Sequence, residues 1–123
     1  MSTRKSAAVH LTDRAIRDLQ EVESYSAGVW GKRVAAKYME ELAAAFDRLA
    51  DRPALLRLEP EFSSGLYFYR VGKHVLVCDA FDANVVVLTV LSTSMDLSTR
   101  LNELEPRLAA ESKMLRTGLR KRR

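Results

Sequence analysis

The side chains of this sequence best suited to joint acid–base catalysis are those of Arg70, Lys73 and His74. They lie close along the chain in the stretch GLYFYRVGKHVLVCDAF. Cleavage of RNA through its 2′-hydroxyl requires a general base, a general acid and cations that stabilise the charged phosphorane. His74 is the best acid–base candidate because its ordinary pKa lies near neutrality, while Tyr67 or Tyr69 could donate a proton or stack on a base.

The same residues also have a plain structural interpretation. Lys73 and His74 follow a Val-Gly pair at a hairpin turn, where polar side chains are expected irrespective of function. Arg100, from the C-terminal segment, could add a cation, but the strands around His74 carry few basic residues. A ribonuclease centre and an ordinary turn therefore both remain open at this point.

Other patterns of catalytic or ligand-binding residues are weak. His10 has no His, Cys or carboxylate at a spacing suited to a shared metal ion. Ser92 and Ser94 lack a matching histidine and acid for nucleophilic catalysis, and the turns SSGL and RVGK lack the pattern of a phosphate-binding loop. We therefore expect no metal and no other cofactor.

Three strands must position the residues around His74. LYFYRV (66–71), HVLVCDAF (74–81) and VVVLTVLS (85–92) are rich in β-branched and aromatic residues. Short turns join them, which predicts an antiparallel meander. With the short apolar segment 7–11 as a further strand, we expect a small, all-antiparallel sheet.

Alternation along the first of these strands separates two sets of side chains. Tyr67 and Tyr69 should share one face of the sheet, and Phe68 and Arg70 the other. Since two helices can cover only one face, the face that carries the tyrosines is predicted to bind a partner. The alternative is that a C-terminal helix covers it.

Two helices precede the strands. Thr12 is a suitable N-cap, and Asp13 places negative charge in the first turn of a helix that ends near Trp30, between Gly28 and Gly31. A three-residue connection should join it to a second, antiparallel helix. The order β-α-α-β-β-β, followed by a helical C-terminal segment, predicts an α+β fold.

The second helix is predicted over residues 32–50 and carries an apolar stripe. The stripe consists of Val34, Tyr38, Leu42, Phe46 and Leu49. We expect it to pack on buried strand positions. Those positions are Val75, Val77, Val86, Leu88 and Val90.

Segments without a strong strand pattern flank the meander. Residues 51–62 contain two prolines and predict a loop. After the last strand, Asp96 or Ser98 could cap a C-terminal helix that Pro106 should interrupt.

The composition suits one folded domain over residues 1–123, of which 47% are apolar. Cys78 is the only cysteine, so no intramolecular disulfide can form, which fits a reducing compartment. No run approaches the ~18 apolar residues of a membrane span, and the N-terminus lacks a signal-peptide pattern. We expect a cytoplasmic protein that does not contact the membrane.

The positive net charge of +4 is concentrated at the ends of the chain. Residues 112–123 hold six basic residues and no acid, whereas residues 6–111 hold 12 basic and 16 acidic residues, a net of −4. The segment 112–123 is therefore predicted to be a basic tail, mobile beyond Gly118, that attracts an acidic partner.

Four segments, in this order and spacing, resemble one known family. They are VHLTDRAIRDLQEVESY, AAKYMEELAAAFDRLADRP, GLYFYRVGKHVLV and VVVLTVLSTSMDL. Over residues 9–97 the sequence resembles the RelE/ParE superfamily of toxins from bacterial type II toxin–antitoxin systems, and its ParE (plasmid stabilisation) branch most.

The resemblance implies a toxin that a cognate antitoxin neutralises. A ParE-like member would inhibit DNA gyrase by protein binding, without catalysis. A RelE-like member would cleave mRNA on the ribosome, with Arg70, Lys73 and His74 as candidate catalytic residues. A third alternative is a degenerate member without toxicity, because Tyr67 and the segment 92–96 differ from the usual family pattern.

The candidates for partner binding are aromatic or basic. They are Tyr67, Tyr69, Arg70, Arg100, Arg116 and Arg120.

Overall fold

A five-stranded sheet with helices on both faces forms the fold in the computed structural model, which describes residues 7–58 and 65–121. The α+β class predicted from the sequence is confirmed. The elements in chain order are β1 (Ala8–Leu11), α1 (Asp13–Trp30), α2 (Lys32–Asp51), a 3₁₀ turn (Pro53–Leu55), β2 (Arg57–Leu58), β3 (Tyr67–Val71), β4 (His74–Phe81), β5 (Asn84–Ser92) and α3 (Leu97–Lys121).

The sheet is mixed, so the prediction of an all-antiparallel sheet is wrong. Its strand order is β1-β5-β4-β3-β2, and β1 runs parallel to β5, with Ala8 opposite Asn84 and Leu11 opposite Val87. The other neighbours are antiparallel. Parallel pairing requires a long crossover connection, and local patterns do not reveal a partner so distant in sequence. The short strand β2 lies within residues 51–62, where the sequence predicts only a loop.

The start of α1 follows from its capping residue. Thr12 has extended backbone angles, and its Oγ1 accepts a hydrogen bond from the Ala15 N–H at 3.0 Å. The same hydroxyl donates to the Leu88 carbonyl at 2.8 Å. One side chain therefore caps the helix and fixes its first turn to the sheet.

The two helices meet at Gly31 alone, rather than through the expected three residues. Gly31 has φ 91°, in the region that favours glycine, and its N–H donates to the Ala27 carbonyl at 3.0 Å. Within the predicted stripe of α2, Leu42 and Leu49 are buried. Val34 instead lies 50% exposed near the joint.

The sheet separates two apolar cores. The hairpin core lies under α1 and α2, and its buried residues include Leu42, Leu49, Leu76, Cys78, Val85, Val87 and Val90. The α3 core lies on the opposite face, and its buried residues include Phe68, Val75, Val77, Val86, Leu88, Leu101, Leu104 and Leu108.

The five strand positions predicted to be buried are all buried, at most 7% exposed. Only Val90 belongs to the hairpin core, however. Val75, Val77, Val86 and Leu88 pack under α3, so their predicted contact with the α2 stripe is wrong. Side chains alternate along a strand, and both faces of this sheet are covered.

Helix α3 begins at a cap predicted from the sequence. Asp96 Oδ1 accepts a hydrogen bond from the Thr99 N–H at 3.2 Å, and Oδ2 accepts one from Thr99 Oγ1 at 2.8 Å. The expected interruption at Pro106 is wrong, because the helix continues through it. Leu104 and Leu108, on either side of Pro106, are both buried against the sheet, and this packing offsets the backbone hydrogen bond that proline cannot donate.

Across residues 7–58 and 65–121, none of the helices has both the length and the apolar character needed to cross a membrane.

Candidate functional site

A cleft of about 910 Å³ lies between the joint of α1 and α2 and the turn that links β3 to β4. The end of β5 and the start of α3 complete its wall. The side chains relevant to its chemistry are Tyr25, Trp30, Tyr38, Lys73, His74 and Arg100.

The floor of the cleft is a tyrosine–histidine pair. Tyr38 Oη lies 2.6 Å from His74 Nδ1 and 3.2 Å from the Val71 carbonyl oxygen, and it accepts a hydrogen bond from the Lys73 N–H at 3.2 Å. Gly72, with φ 56°, lies under the ring, where a Cβ would come within 2.9 Å of Tyr38 atoms. The turn can approach the tyrosine this closely only because residue 72 has no side chain.

Burial favours the uncharged form of both members of this pair. It lowers the pKa of His74 below its ordinary value. It also raises the pKa of Tyr38, against the opposing effect of the Lys73 N–H and with a smaller contribution from Glu41. The positive charge of the cleft therefore comes from Lys73 and Arg100.

Aromatic rings form the outer wall. Lys73 Nζ lies 5.5 Å from the ring centroid of Trp30, within the range of a cation–π contact. Tyr25 packs edge-on against Trp30, with ring centroids 6.1 Å apart. Trp30 and Tyr25 are 50% and 66% exposed, so this wall remains accessible.

The structure does not bring the three nuclease candidates together. Phe68, two residues before Arg70, lies in the α3 core, whereas Val71, the next residue, lies in the hairpin core. Because side chains alternate along a strand, Arg70 projects on the α3 side of the sheet. His74 faces the hairpin side, where it meets Tyr38. Lys73 extends over Trp30. Arg70 and His74 are therefore on opposite faces.

Tyr67 and Tyr69 lie on the hairpin side and are half-buried against the hairpin core. Tyr69 Oη accepts a hydrogen bond from Arg48 Nε at 3.0 Å, and the Arg48 guanidinium lies 5.9 Å from its ring centroid. The premise that their face lacks a helical cover is wrong, since α2 packs there and α3 covers the other face. Their role in binding a partner stays a prediction.

Arg116 forms its hydrogen bonds with another residue of the same chain. Its Nε and Nη2 donate to the two oxygens of Asp79 at 2.7 and 2.6 Å, and the Ser112 hydroxyl donates to the same carboxylate. The guanidinium also lies 4.8 Å from the ring centroid of Phe81. Ser112 and Arg116 thus lie in a packed helix rather than in the predicted tail.

The remaining candidates lie on α3. Arg100 lines the cleft and forms an exposed ion pair with Glu103 at 3.4 Å. Arg120 belongs to the last turn of the helix, and its side chain lies outside the described residues. Residues 122 and 123 also lie outside them. In the described part of the chain, no group of three or more His, Cys, Asp or Glu could hold a metal ion.

Comparison with known proteins gives a family assignment. The family model described as "ParE toxin of type II toxin-antitoxin system, parDE" matches residues 9–97. The chain belongs to the ParE toxin family, within the RelE/ParE superfamily. Its sequence is 31% identical over 91 residues to Toxin ParE1 of Caulobacter vibrioides, and this match covers 74% of the chain and 94% of that protein.

Two solved structures share the fold of this ParE-family chain. One is titled as a chromosomal ParDE toxin–antitoxin system from P. aeruginosa, with a TM-score of 0.63, 12% identity and coverage of 72% of this chain and 97% of that one. The other is titled as the RelBE2 toxin–antitoxin complex from Mycobacterium tuberculosis, with a TM-score of 0.51, 26% identity and coverage of 71% and 98%.

The family match ends where α3 begins, at Leu97. In this ParE-family member, the buried carboxylate of Asp79 is therefore satisfied by two residues from beyond the matched region, Ser112 and Arg116. Arg14 of α1 and Glu111 of α3 add a further ion pair at 3.0 Å. These contacts and the α3 core attach the C-terminal helix to the toxin domain.

Three residues of the cleft are absent from the sequence-based prediction of the site. In that prediction Trp30 marks only the end of a helix, and its exposure at the cleft depends on how the two helices pack. Tyr25 was not singled out. Tyr38 was assigned to the core stripe, and nothing in the local pattern indicates that its hydroxyl reaches His74.

Proposed function

We propose that this chain is a cytoplasmic toxin that inhibits DNA gyrase by protein binding and is neutralised by a cognate antitoxin. The ParE-type action is favoured over mRNA cleavage by one observation, the placement of Arg70 and His74 on opposite faces of the sheet.

Cleavage of RNA would need an acid–base group and cations around the same phosphate. His74 is hydrogen bonded to Tyr38 at the floor of the cleft, and Arg70 cannot reach the same phosphate from the other face. The charge of the chain supports the same conclusion, because residues 7–121, which include α3, hold 16 basic and 16 acidic residues and have a net charge of zero. A protein that binds a polyanion through its folded body usually presents a basic face.

The antitoxin partnership is supported by the family assignment and by the two similar solved structures, both of which are of toxin–antitoxin systems. Arg70 and Arg100 are exposed on the described surface and remain predicted partner contacts. Arg116, which is bound to Asp79 and whose side chain is 38% exposed, also remains a predicted partner contact.

Parallel assays on the purified toxin test the target. We expect inhibition of gyrase supercoiling at stoichiometric toxin, and no cleavage of mRNA on translating ribosomes. The matched variants are His74→Ala and His10→Ala, which remove one histidine inside and one outside the cleft. Ribosome-dependent cuts that disappear with His74→Ala but persist with His10→Ala would replace this proposal with RelE-like cleavage. Inactivity in both assays would indicate a member without toxicity.

A further inference from the structure

The charge of α3 changes sign along its length. Residues 97–111 hold two basic and three acidic residues, whereas residues 112–121 hold four basic residues and no acid. The helix dipole favours cations near the end of a helix, but this effect is confined to the last turn. Lys113 lies about two turns before the end of α3, so the dipole does not account for its charge.

Three of these four cations form a basic row along one side of the helix. Lys113, Arg116 and Arg120 are spaced by three and four residues, and positions with this spacing lie on the same side of an α-helix. At a rise of about 1.5 Å per residue, the basic row extends over roughly 10 Å. Neighbouring positions are closer along the helix than the Debye length of about 8 Å at physiological ionic strength, so they act on the same stretch of a charged partner.

Arg116, at the centre of the basic row, is held in a fixed orientation. Its Nε and Nη2 groups donate to Asp79, and its guanidinium lies 4.8 Å from the ring centroid of Phe81. Among the described residues Nη1 has no hydrogen-bond partner, and the side chain is 38% exposed. Arginine matches the geometry of phosphate oxygens. A guanidinium that is already fixed along one edge loses little conformational entropy when its other edge binds.

The surroundings of the basic row favour the phosphates of a duplex over other polyanions. Proteins that bind single strands stack bases on exposed aromatic rings, but the ring against this row, Phe81, is only 7% exposed. The exposed Met114 lies about 100° or more around the helix from each position of the row, so the row has no apolar anchor for a protein segment. A straight, rigid row of cations suits the regular charges of duplex DNA, one per about 1.7 Å of its axis.

We propose that the basic row binds the phosphate backbone of duplex DNA. Arg116 donates from Nη1 to one phosphate, and Lys113 and Arg120 add positive charge on either side of it. The site is confined to one end of α3, which is consistent with the zero net charge of residues 7–121. Because phosphate contacts carry no base sequence, binding should be weak and independent of sequence, with a Kd of about 10⁻⁴–10⁻⁶ M. This site goes beyond the proposed inhibition of gyrase, since its ligand is DNA alone.

Fluorescence anisotropy of a short, fluorescein-labelled DNA duplex, titrated with the full-length chain, measures this binding. The logarithm of the association constant should fall linearly with the logarithm of the salt concentration. Three phosphate contacts predict a slope of about −3. Two duplexes of unrelated sequence should bind with affinities within about twofold of each other.

Matched variants locate the contact on the helix. Lys113→Ala and Arg120→Ala should each weaken binding at least ~3-fold at low salt and reduce the magnitude of the salt slope by about 1, because each removes one phosphate contact. The control is Arg107→Ala, which removes the same charge from an exposed position on the opposite side of α3. It should leave the slope unchanged and the affinity within about twofold of the parent.

Several results would show that the proposal is wrong. They are no binding at low salt, equal losses with Lys113→Ala and Arg107→Ala, tighter binding of a single strand than of the duplex, and displacement of the duplex by polyglutamate at equal charge. Lys113 is exposed and alanine favours helix, so Lys113→Ala should fold as the parent does and keeps the test valid should Arg120→Ala not fold. Failure here would leave the proposed inhibition of gyrase standing, because the assay contains no gyrase.

Discussion

A carboxylate buried in a sheet needs hydrogen-bond partners, and Asp79 finds them in α3. The residue is 2% exposed. Burial alone would raise the pKa of Asp79, but hydrogen bonds from Arg116 and Ser112, with the charge of Arg116, hold the pKa below its ordinary value. Asp79 is therefore ionised in the folded protein at neutral pH, and its charge is compensated from a neighbouring element.

The stability of the protein should depend on pH through Asp79. Its pKa is lower in the folded than in the unfolded chain, so the unfolded chain takes up its proton first as the pH falls. The stabilisation is complete above the ordinary aspartate pKa of 3.8 and is lost as the pH falls through the lower folded-state value. We expect Asp79→Asn to reduce the free energy of unfolding by about 1–3 kcal/mol at pH 7, with a smaller difference in acid.

Urea unfolding of both proteins between pH 7 and pH 3 measures this difference. Asp47→Asn, at an exposed position of α2, is the control and should leave stability nearly unchanged across the range. If the free energy of unfolding differs between the parent and Asp79→Asn by the same amount at every pH, Asp79 contributes through its shape and not through its charge.

At the residue scale, the sequence predicted local contacts better than distant ones. The Thr12 and Asp96 caps were predicted because each side chain bonds a backbone group three residues away. The pairs Tyr38–His74 and Asp79–Arg116 join residues more than 30 positions apart. No periodicity records such a pair, so the contact between Arg116 and Asp79 could not be predicted from the sequence.

At the scale of elements, α3 is the part of the molecule that the family match does not include. It covers the sheet face opposite the helical hairpin and buries Leu101, Leu104 and Leu108. Each fully buried leucine stabilises the folded state by about 1.5–3 kcal/mol relative to an exposed one. Together these contributions are comparable with the ~5–15 kcal/mol of net stability that a domain has.

Two truncations should therefore behave differently. A chain that ends at Asp96 loses the whole of α3, exposes Phe68 and Leu88, and should be unfolded or aggregated. A chain that ends at Gly118 keeps the three leucines and Arg116, and its thermal midpoint should fall by only a few degrees. Circular dichroism during heating checks both. A stable, monomeric chain ending at Asp96 would show that α3 is dispensable for folding.

The sequence of β5 itself indicates that a further element covers the sheet. In β5, residues 85–91 are apolar except for one threonine, and all are buried. A strand with one solvent-exposed face alternates apolar and polar residues, whereas a continuous apolar run indicates cover on both faces. The helices and strands themselves were predicted because amphipathic and β-branched patterns are local. The parallel pairing of β1 with β5 could not be predicted in this way, because it joins two strands that are separated in the chain by two helices and three other strands.

At the scale of the whole molecule, the two cores share one sheet and should unfold together. Cys78 is fully buried in the hairpin core, and burial, with a smaller effect from the Asp79 charge, raises the pKa of its thiol. It should therefore not react with thiol reagents while the sheet is intact. Because β4 and β5 contribute to both cores, neither core can open without disturbing the other.

Three probes on one denaturant series test this cooperativity. Trp30 emission reports the joint of the hairpin, helical circular dichroism reports all three helices, and the rate of Cys78 modification reports the centre of the sheet. We expect one shared midpoint, as for a two-state domain. Modification of Cys78 at denaturant concentrations where helicity is still complete would instead indicate that the sheet opens separately.

One backbone torsion angle at Gly31 sets the direction in which α2 leaves α1, and with it the separation of Trp30 from the β3–β4 turn. Its φ of 91° with ψ of 161° belongs to a region used almost only by glycine, although a Cβ at this position would meet no atom within 4 Å. The geometry of the cleft mouth thus depends on Gly31, a residue that does not line the cleft. Substitution of Gly31 should therefore change the shape of this cleft while every side chain that lines it stays the same. A comparison of related chains by their cleft-lining residues alone would miss such a change.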